Sequence, residues 1–160
     1  MNRPGFAEAG YFPPMTTLDA VWALASTESY LAVVSVTRAD GTVASSLVNA
    51  GPVADPTTGG PVVGYVTYGP VKLANLRARP ASALTFRSGW RYATIEGTCR
   101  IVGPDDPAEG VDAERLRLLL REVFTGAGGS HDDWDAYDET MRAERRAAVL
   151  LTPTRVYGNA

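Results

Sequence analysis

The chain has 160 residues, a net charge of −3, and 45% hydrophobic against 21% charged residues. That length makes one domain able to bury a core without staples, and the acidic balance argues against non-specific nucleic-acid binding while leaving room for a local basic patch. Cys99 is the only cysteine, which excludes an intrachain disulfide and a cysteine-rich zinc site. Met1 to Glu8 lacks the apolar stretch of a leader, and no run approaches the length of a membrane span. A cytoplasmic location with no membrane contact is the expectation.

Residues 1–15 carry three prolines and two glycines and read as an irregular arm. Thr17 is placed to cap a helix over Leu18 to Ser26, with Leu18, Val21, Trp22 and Ala25 on one face. Tyr30 to Thr37 is an apolar, β-branched strand. Asp40-Gly41 marks a hairpin turn, with Thr42 to Val48 as the return strand. Residues 51–61, rich in Gly, Pro, Asp and Thr, read as a loop before a strand from Val62 to Thr67.

The next segment, Thr67-Tyr68-Gly69-Pro70-Val71-Lys72-Leu73-Ala74-Asn75-Leu76-Arg77-Ala78-Arg79-Pro80, reads as a strand end, a Gly-Pro turn and a short helix stopped by Pro80. Ser82 to Arg87 follows as a strand, then a Ser88-Gly89 turn and a long strand from Trp90 to Val102. In that strand Ala93, Ile95, Cys99 and Ile101 alternate with polar residues, and Gly97 predicts a bulge or a close backbone approach. A loop covers 103–110. An amphipathic helix spans 112–124 on Leu116, Leu119, Leu120 and Val123, and a second runs from Ser130 to about Arg145 with Trp134, Tyr137 and Met141 on one side. Ala148 to Tyr157 is the last strand, broken or edged at Pro153. Six strands in meander order without βαβ units predict a mainly β, antiparallel barrel with peripheral helices.

Gly-x-Ser-x-Gly is absent, and any Ser-His arrangement would depend on His131, the only histidine. The acidic run His131 to Glu139 reads as a helix start capped by Ser130 rather than a metal site, because acids in a first turn complement the helix dipole. Cys99 has the parity of a core residue, and the glycines match neither a P-loop nor a dinucleotide fingerprint. What remains is Lys72, the only lysine in the chain. It shares a predicted helix face with Asn75 and Arg79 near a helix N-terminus, where free amides favour a phosphate. The polar strand Ser45-Ser46-Leu47-Val48-Asn49 and the strand start Trp90-Arg91-Tyr92-Ala93 are suited to the edge and face of a flat heterocycle.

Lys72-x-x-Asn75-Leu76-Arg77-x-x-Pro80, followed by Gly89-Trp90-Arg91-Tyr92-Ala93-x-x-Glu96-Gly97, resembles the split β-barrel flavin and deazaflavin oxidoreductases, the superfamily of pyridoxamine 5′-phosphate oxidase. His131-x-Asp133-Trp134-Asp135-x-Tyr137, Met141, Arg145-Arg146 and Arg155-Val156-Tyr157-Gly158 extend the resemblance to its actinobacterial, coenzyme F420-dependent branch. The resemblance implies a six-stranded split barrel, a homodimer with cofactor sites at the subunit interface, and hydride transfer between F420 and an unsaturated small organic substrate. FMN is the alternative cofactor, and a non-catalytic protein holding a cofactor or tetrapyrrole is a third reading. By the same resemblance Lys72 and Asn75 meet the cofactor phosphate, Ser45 to Asn49 run along the ring system, Trp90, Arg91 and Ala93 approach from the second subunit, and Thr67 and Tyr68 also belong to the cofactor site. Arg77, Arg79 and Arg91 are candidates to meet the polyglutamate tail of F420. Pro70 stands where relatives often have an arginine, which removes one phosphate donor.

Overall fold

A computed structural model describes residues 14–160. The predicted irregular arm therefore lies almost wholly outside the described residues. Among the described residues seven strands form one antiparallel sheet: β1 (Leu31–Thr37), β2 (Val43–Asn49), β3 (Gly51–Ala54), β4 (Pro61–Thr67), β5 (Ala81–Ser88), β6 (Arg91–Val102) and β7 (Ala147–Gly158). Four helices accompany them: α1 (Leu18–Ser26), α2 (Pro70–Ala78), α3 (Ala113–Gly126) and α4 (Trp134–Ala143). The architecture is the expected split barrel, with one strand more than the predicted six. The extra strand is β3, inside the segment read as a loop; its four residues pair with β4 from Gly51 opposite Gly64 to Ala54 opposite Pro61.

The sheet order is β2-β1-β5-β6-β7-β4-β3. Its two edge strands, β2 and β3, are consecutive in sequence and separated only by Ala50. One residue spans about 3.8 Å between neighbouring Cα atoms, so the sheet must curl until its edges meet there. Ala50 is fully buried at that junction, and its amide donates to the Tyr30 carbonyl. Away from Ala50 the edges part: β2 pairs only with β1 and β3 only with β4, while β2 and β4 face each other unpaired. The barrel is joined at Ala50 and open beyond it.

Two cores follow from this shape. Inside the curl, Val34, Tyr65, Leu76, Leu84, Phe86 and Ile95 pack with α1 and α2. Between the outside of β4, β6 and β7 and helices α3 and α4 lies a second cluster containing Val62, Val102, Leu119, Leu120, Val123, Tyr137 and Met141. The run Ala147 to Leu151 is buried at every position because it serves both cores.

Thr17 caps α1 as predicted, its hydroxyl accepting from the Ala20 amide at 3.2 Å. The cap of α4 is Asp133, which accepts from Ala136, and not Ser130; the residues between form a bend in which His131 Nδ1 accepts the Asp133 amide at 3.0 Å. The β5–β6 turn falls on Gly89 and Trp90 rather than Ser88 and Gly89, since Ser88 still pairs with Arg91. At Gly97 both sequence readings hold: the β6–β7 register shifts there, and a Cβ would overlap the Thr152 carbonyl. Pro153 sits opposite Gly97 at this irregularity, so β7 passes through it unbroken. No helix among the described residues is long and apolar enough to cross a membrane.

Replacing Gly97 by Ala drives a Cβ into rigid backbone. We expect a loss of about 2–4 kcal/mol in denaturant unfolding. Gly41→Ala has open space around it but a φ of +85°, and is expected to cost only about 1 kcal/mol.

Candidate functional site

The open side of the barrel is bordered by β2, by the end of β4 and by the N-terminus of α2. Pro70 occupies the first turn of α2, where its fixed φ suits the helix and its missing N–H is no loss. The cap residue Gly69 offers no side chain, and the Val71 and Lys72 amides find no carbonyl partner in the preceding turn. Lys72 is half-buried, with its Nζ 5.6 Å from the centroid of the Tyr65 ring. It makes no ion pair or hydrogen bond among the described residues, and burial pushes its ammonium below the ordinary lysine value of 10.5. A partly desolvated, unpaired cation beside free helix amides is a poor arrangement alone and a good one around an anion.

The other predicted residues divide into four places. Thr67 is buried at the end of β4, its hydroxyl accepting from the Gly69 amide at 3.4 Å. Tyr68 is exposed beside it and stacked under the Arg146 guanidinium at 4.4 Å. Asn75 lies one turn beyond Lys72; its Oδ1 accepts from Arg79 at 3.0 Å, which leaves its amide NH₂ without a partner among the described residues. Arg79 is outside the helix as its C-cap, with Nε donating to the Thr37 carbonyl, so it does not share a helix face with Lys72 as predicted. Arg77 is committed to a bidentate pair with Asp106, at 2.8 and 2.7 Å, and turns toward the loop after β6.

Along β2 the five predicted residues fall on two faces, because side chains alternate. Ser46 and Val48 are opposite Val34 and Ala32 and share the inner face of the curl; Ser46 is exposed there because the barrel is open. Ser45, Leu47 and Asn49 are on the outer face, with Ser45 hydrogen-bonded to Ser35 at 3.2 Å and Asn49 Nδ2 donating to the Ser29 carbonyl. That outer face is apolar and open to solvent at Leu31, Val33, Val43 and Leu47, all more than 40% exposed.

Trp90, Arg91 and Ala93 stand elsewhere. The Trp90 turn is at the far end of β5 from α2, roughly 25 Å away at about 3.3 Å per residue. Trp90 is 96% exposed, yet its backbone is pinned: Asn159 Nδ2 donates to the Trp90 carbonyl, and Asn159 Oδ1 accepts the Tyr92 amide. Arg91 is exposed without a partner among the described residues. Ala93 is completely buried and its side chain presents nothing to a ligand. Within one chain the hairpin and the Lys72 opening are separate.

Sequence reasoning missed Tyr65, which forms the wall beneath Lys72. The pairing is a product of the β4–α2 turn and carries no local pattern. The Tyr65 hydroxyl is buried with no hydrogen-bond partner, and burial raises its pKa far above the ordinary phenol value. Cys99, in the same core, has its thiol pushed up to about 11 by burial, so it is not a nucleophile at neutral pH. His131 belongs to the aromatic cluster of Trp134 and Tyr137 at the start of α4, outside the Lys72 opening. Asp138 is held by Arg117 and Arg121, and its carboxyl lies below the usual range because of those two guanidiniums, Arg121 first.

No protein-family model matches the chain. Solved structures do share its fold. A putative 5-nitroimidazole antibiotic resistance protein from Bacteroides thetaiotaomicron is 15% identical with a TM-score of 0.62, over 98% of this chain and 95% of that one. An F420 reductase is 20% identical with a TM-score of 0.53, over 80% and 89%. A pyridoxamine 5′-phosphate oxidase-related, FMN-binding protein from Nostoc punctiforme is 12% identical with a TM-score of 0.54, over 87% and 79%. Haem-binding proteins are also among the structural neighbours. The fold is therefore that of the split barrels related to pyridoxamine 5′-phosphate oxidase.

Tyr65→Phe removes an unsatisfied buried hydroxyl but keeps the ring under Lys72. We expect thermal and denaturant unfolding to show a gain of about 1 kcal/mol.

Proposed function

We propose that this chain is an oxidoreductase that binds coenzyme F420 through Lys72 and acts on an unsaturated small organic molecule. The observation that carries the reading is the half-buried, unpaired Lys72 at the uncapped N-terminus of α2. Ammonium, free amides and the Asn75 amide suit a phosphate, and the inner face of β2 at Ser46 and Val48 offers a small polar and an apolar surface to a flat ring. The fold shared with an F420 reductase supports the choice of cofactor. When bound, F420 supplies a hydride at its deazaflavin C5; the protein's part is to seat the phosphate, orient the ring and cover its face. FMN carries a phosphate too, and the FMN-binding neighbour keeps it as the alternative.

A second copy of the chain completes the proposal. Leu31, Val33, Val43 and Leu47 form an exposed apolar surface on one sheet face, and Trp90 stands fully out on a fixed turn. A homodimer covers this surface and brings the partner's hairpin toward the cofactor, which one chain alone does not do.

Parallel fluorescence titrations with F420 and FMN test the cofactor. Tight binding of F420 with weak binding of FMN is expected; the reverse order moves the chain to the FMN reading, and binding of neither removes both. Lys72→Ala is expected to weaken cofactor binding by about 1.5–3 kcal/mol with the fold intact. A bound phosphate raises the depressed pKa of Lys72, so binding takes up a proton. Affinity should then fall as pH rises through the free-state pKa, below 10.5. In the ligand-free protein the sign is opposite. Over that window the unfolded chain holds more protons, so the Lys72 contribution to stability rises with pH.

A further inference from the structure

A second recess lies away from Lys72. A groove of about 830 Å³ lies on the other side of the sheet, between α3, α4 and the loop of residues 103–112. Its floor is apolar and continuous with the second core, through Val102, Leu116, Leu120 and Met141. Its walls are fixed. Phe124, Trp134 and Tyr137 pack together where the two helices meet, and the Tyr137 hydroxyl donates to the Leu120 carbonyl at 2.9 Å. The loop is anchored at both neighbours, Asp106 to Arg77 of α2 and Asp105 to Arg145. A preformed, mainly apolar recess of this size lies within the range of small-molecule sites, about 300–1,000 Å³.

The rim decides what charge such a molecule carries. Six carboxylates and four guanidiniums line the groove. Every one of those guanidiniums is already engaged: Arg117 by Glu114 and Asp138, Arg142 by Glu139, Arg145 by Asp105, and Arg146 by Glu144. Asp135 is on the rim with neither an ion pair nor a hydrogen bond among the described residues. The field left over is negative, which disfavours a phosphorylated cofactor and favours a cation.

We propose that this groove is a second ligand site, separate from the Lys72 opening, for a small apolar molecule bearing one positive charge such as an amine. The apolar body lies on Leu116, Leu120 and Met141, and the cationic group faces Asp135. The floor supplies affinity, and the rim rejects anions of the same shape.

Two dyes of similar size and opposite charge test this on the full chain: the cation auramine O and the anion 1-anilinonaphthalene-8-sulfonate. Saturable binding of one auramine O per chain, at least about ten-fold tighter than the anion, is expected. Asp135→Lys should weaken auramine O roughly 3- to 10-fold, in keeping with one exposed charge contact made repulsive. Leu116→Trp should fill the floor and abolish binding, and Lys72→Ala should leave it unchanged. Absence of saturable binding, equal affinity for both dyes, or no effect of Asp135→Lys overturns the proposal. So does binding that survives Leu116→Trp in a protein that melts like the parent. If Leu116→Trp fails to fold, Asp135→Lys decides alone. A change of oligomeric state on filling the groove would make it a contact between copies and would equally overturn the small-ligand reading.

Discussion

The chain passes from one edge of its sheet to the opposite edge through a single residue, Ala50. Much else in the structure answers to that constraint. The sheet has to curl, because β2 and β3 cannot both be edges and both be adjacent to Ala50 in a flat arrangement. The two edges then diverge, since β2 takes its hydrogen bonds from β1 and β3 from β4. The opening so made is where the last residues of β4 turn into α2 and set Lys72 above Tyr65. Gly51, directly after the crossing, lies so close to the Gly126 carbonyl at the end of α3 that no side chain fits. The crossing, the opening and the seat of α3 are one construction.

Charge follows the same division. Five of the arginines act as forks that tie elements together: Arg77 to the 103–107 loop, Arg79 to β1, Arg100 to Asp55, Arg117 and Arg121 to α4. Guanidinium suits that role because it is planar and offers several donors in fixed directions. The one lysine is treated differently. It is partly desolvated, faces an aromatic ring and has no carboxylate paired with it among the described residues. An ammonium placed so costs free energy in the empty site, a cost an anion offsets on binding.

Local features were legible in the sequence. The Thr17 cap, the helix after Gly69-Pro70 and the Gly97 irregularity each depend on a few neighbouring residues, and each stands where the pattern put it. Features set by distant partners were not. Gly51 to Ala54 has only Val53 as a strand former, and is a strand because β4 pairs with it. Ser45 to Asn49 reads as one binding segment, but the pleat sends Ser46 and Val48 inward and the other three outward. Arg77 looks free in sequence and is held by Asp106, twenty-nine positions on. The Asp133 cap was misplaced by three residues because Ser130 offers an equally good oxygen. The separation of Trp90 from Lys72 is a matter of strand length, which no local pattern reports.

Because Lys72 is the only lysine, it can be observed alone. Protein labelled with ¹³C at lysine Cε gives a single side-chain signal, whose pH titration reads the Lys72 ammonium directly. The account predicts a free-state pKa below 10.5 that rises when F420 is added, or FMN if that is the cofactor. A signal that titrates at the ordinary value and is unmoved by either would contradict the assignment of this opening as the cofactor site.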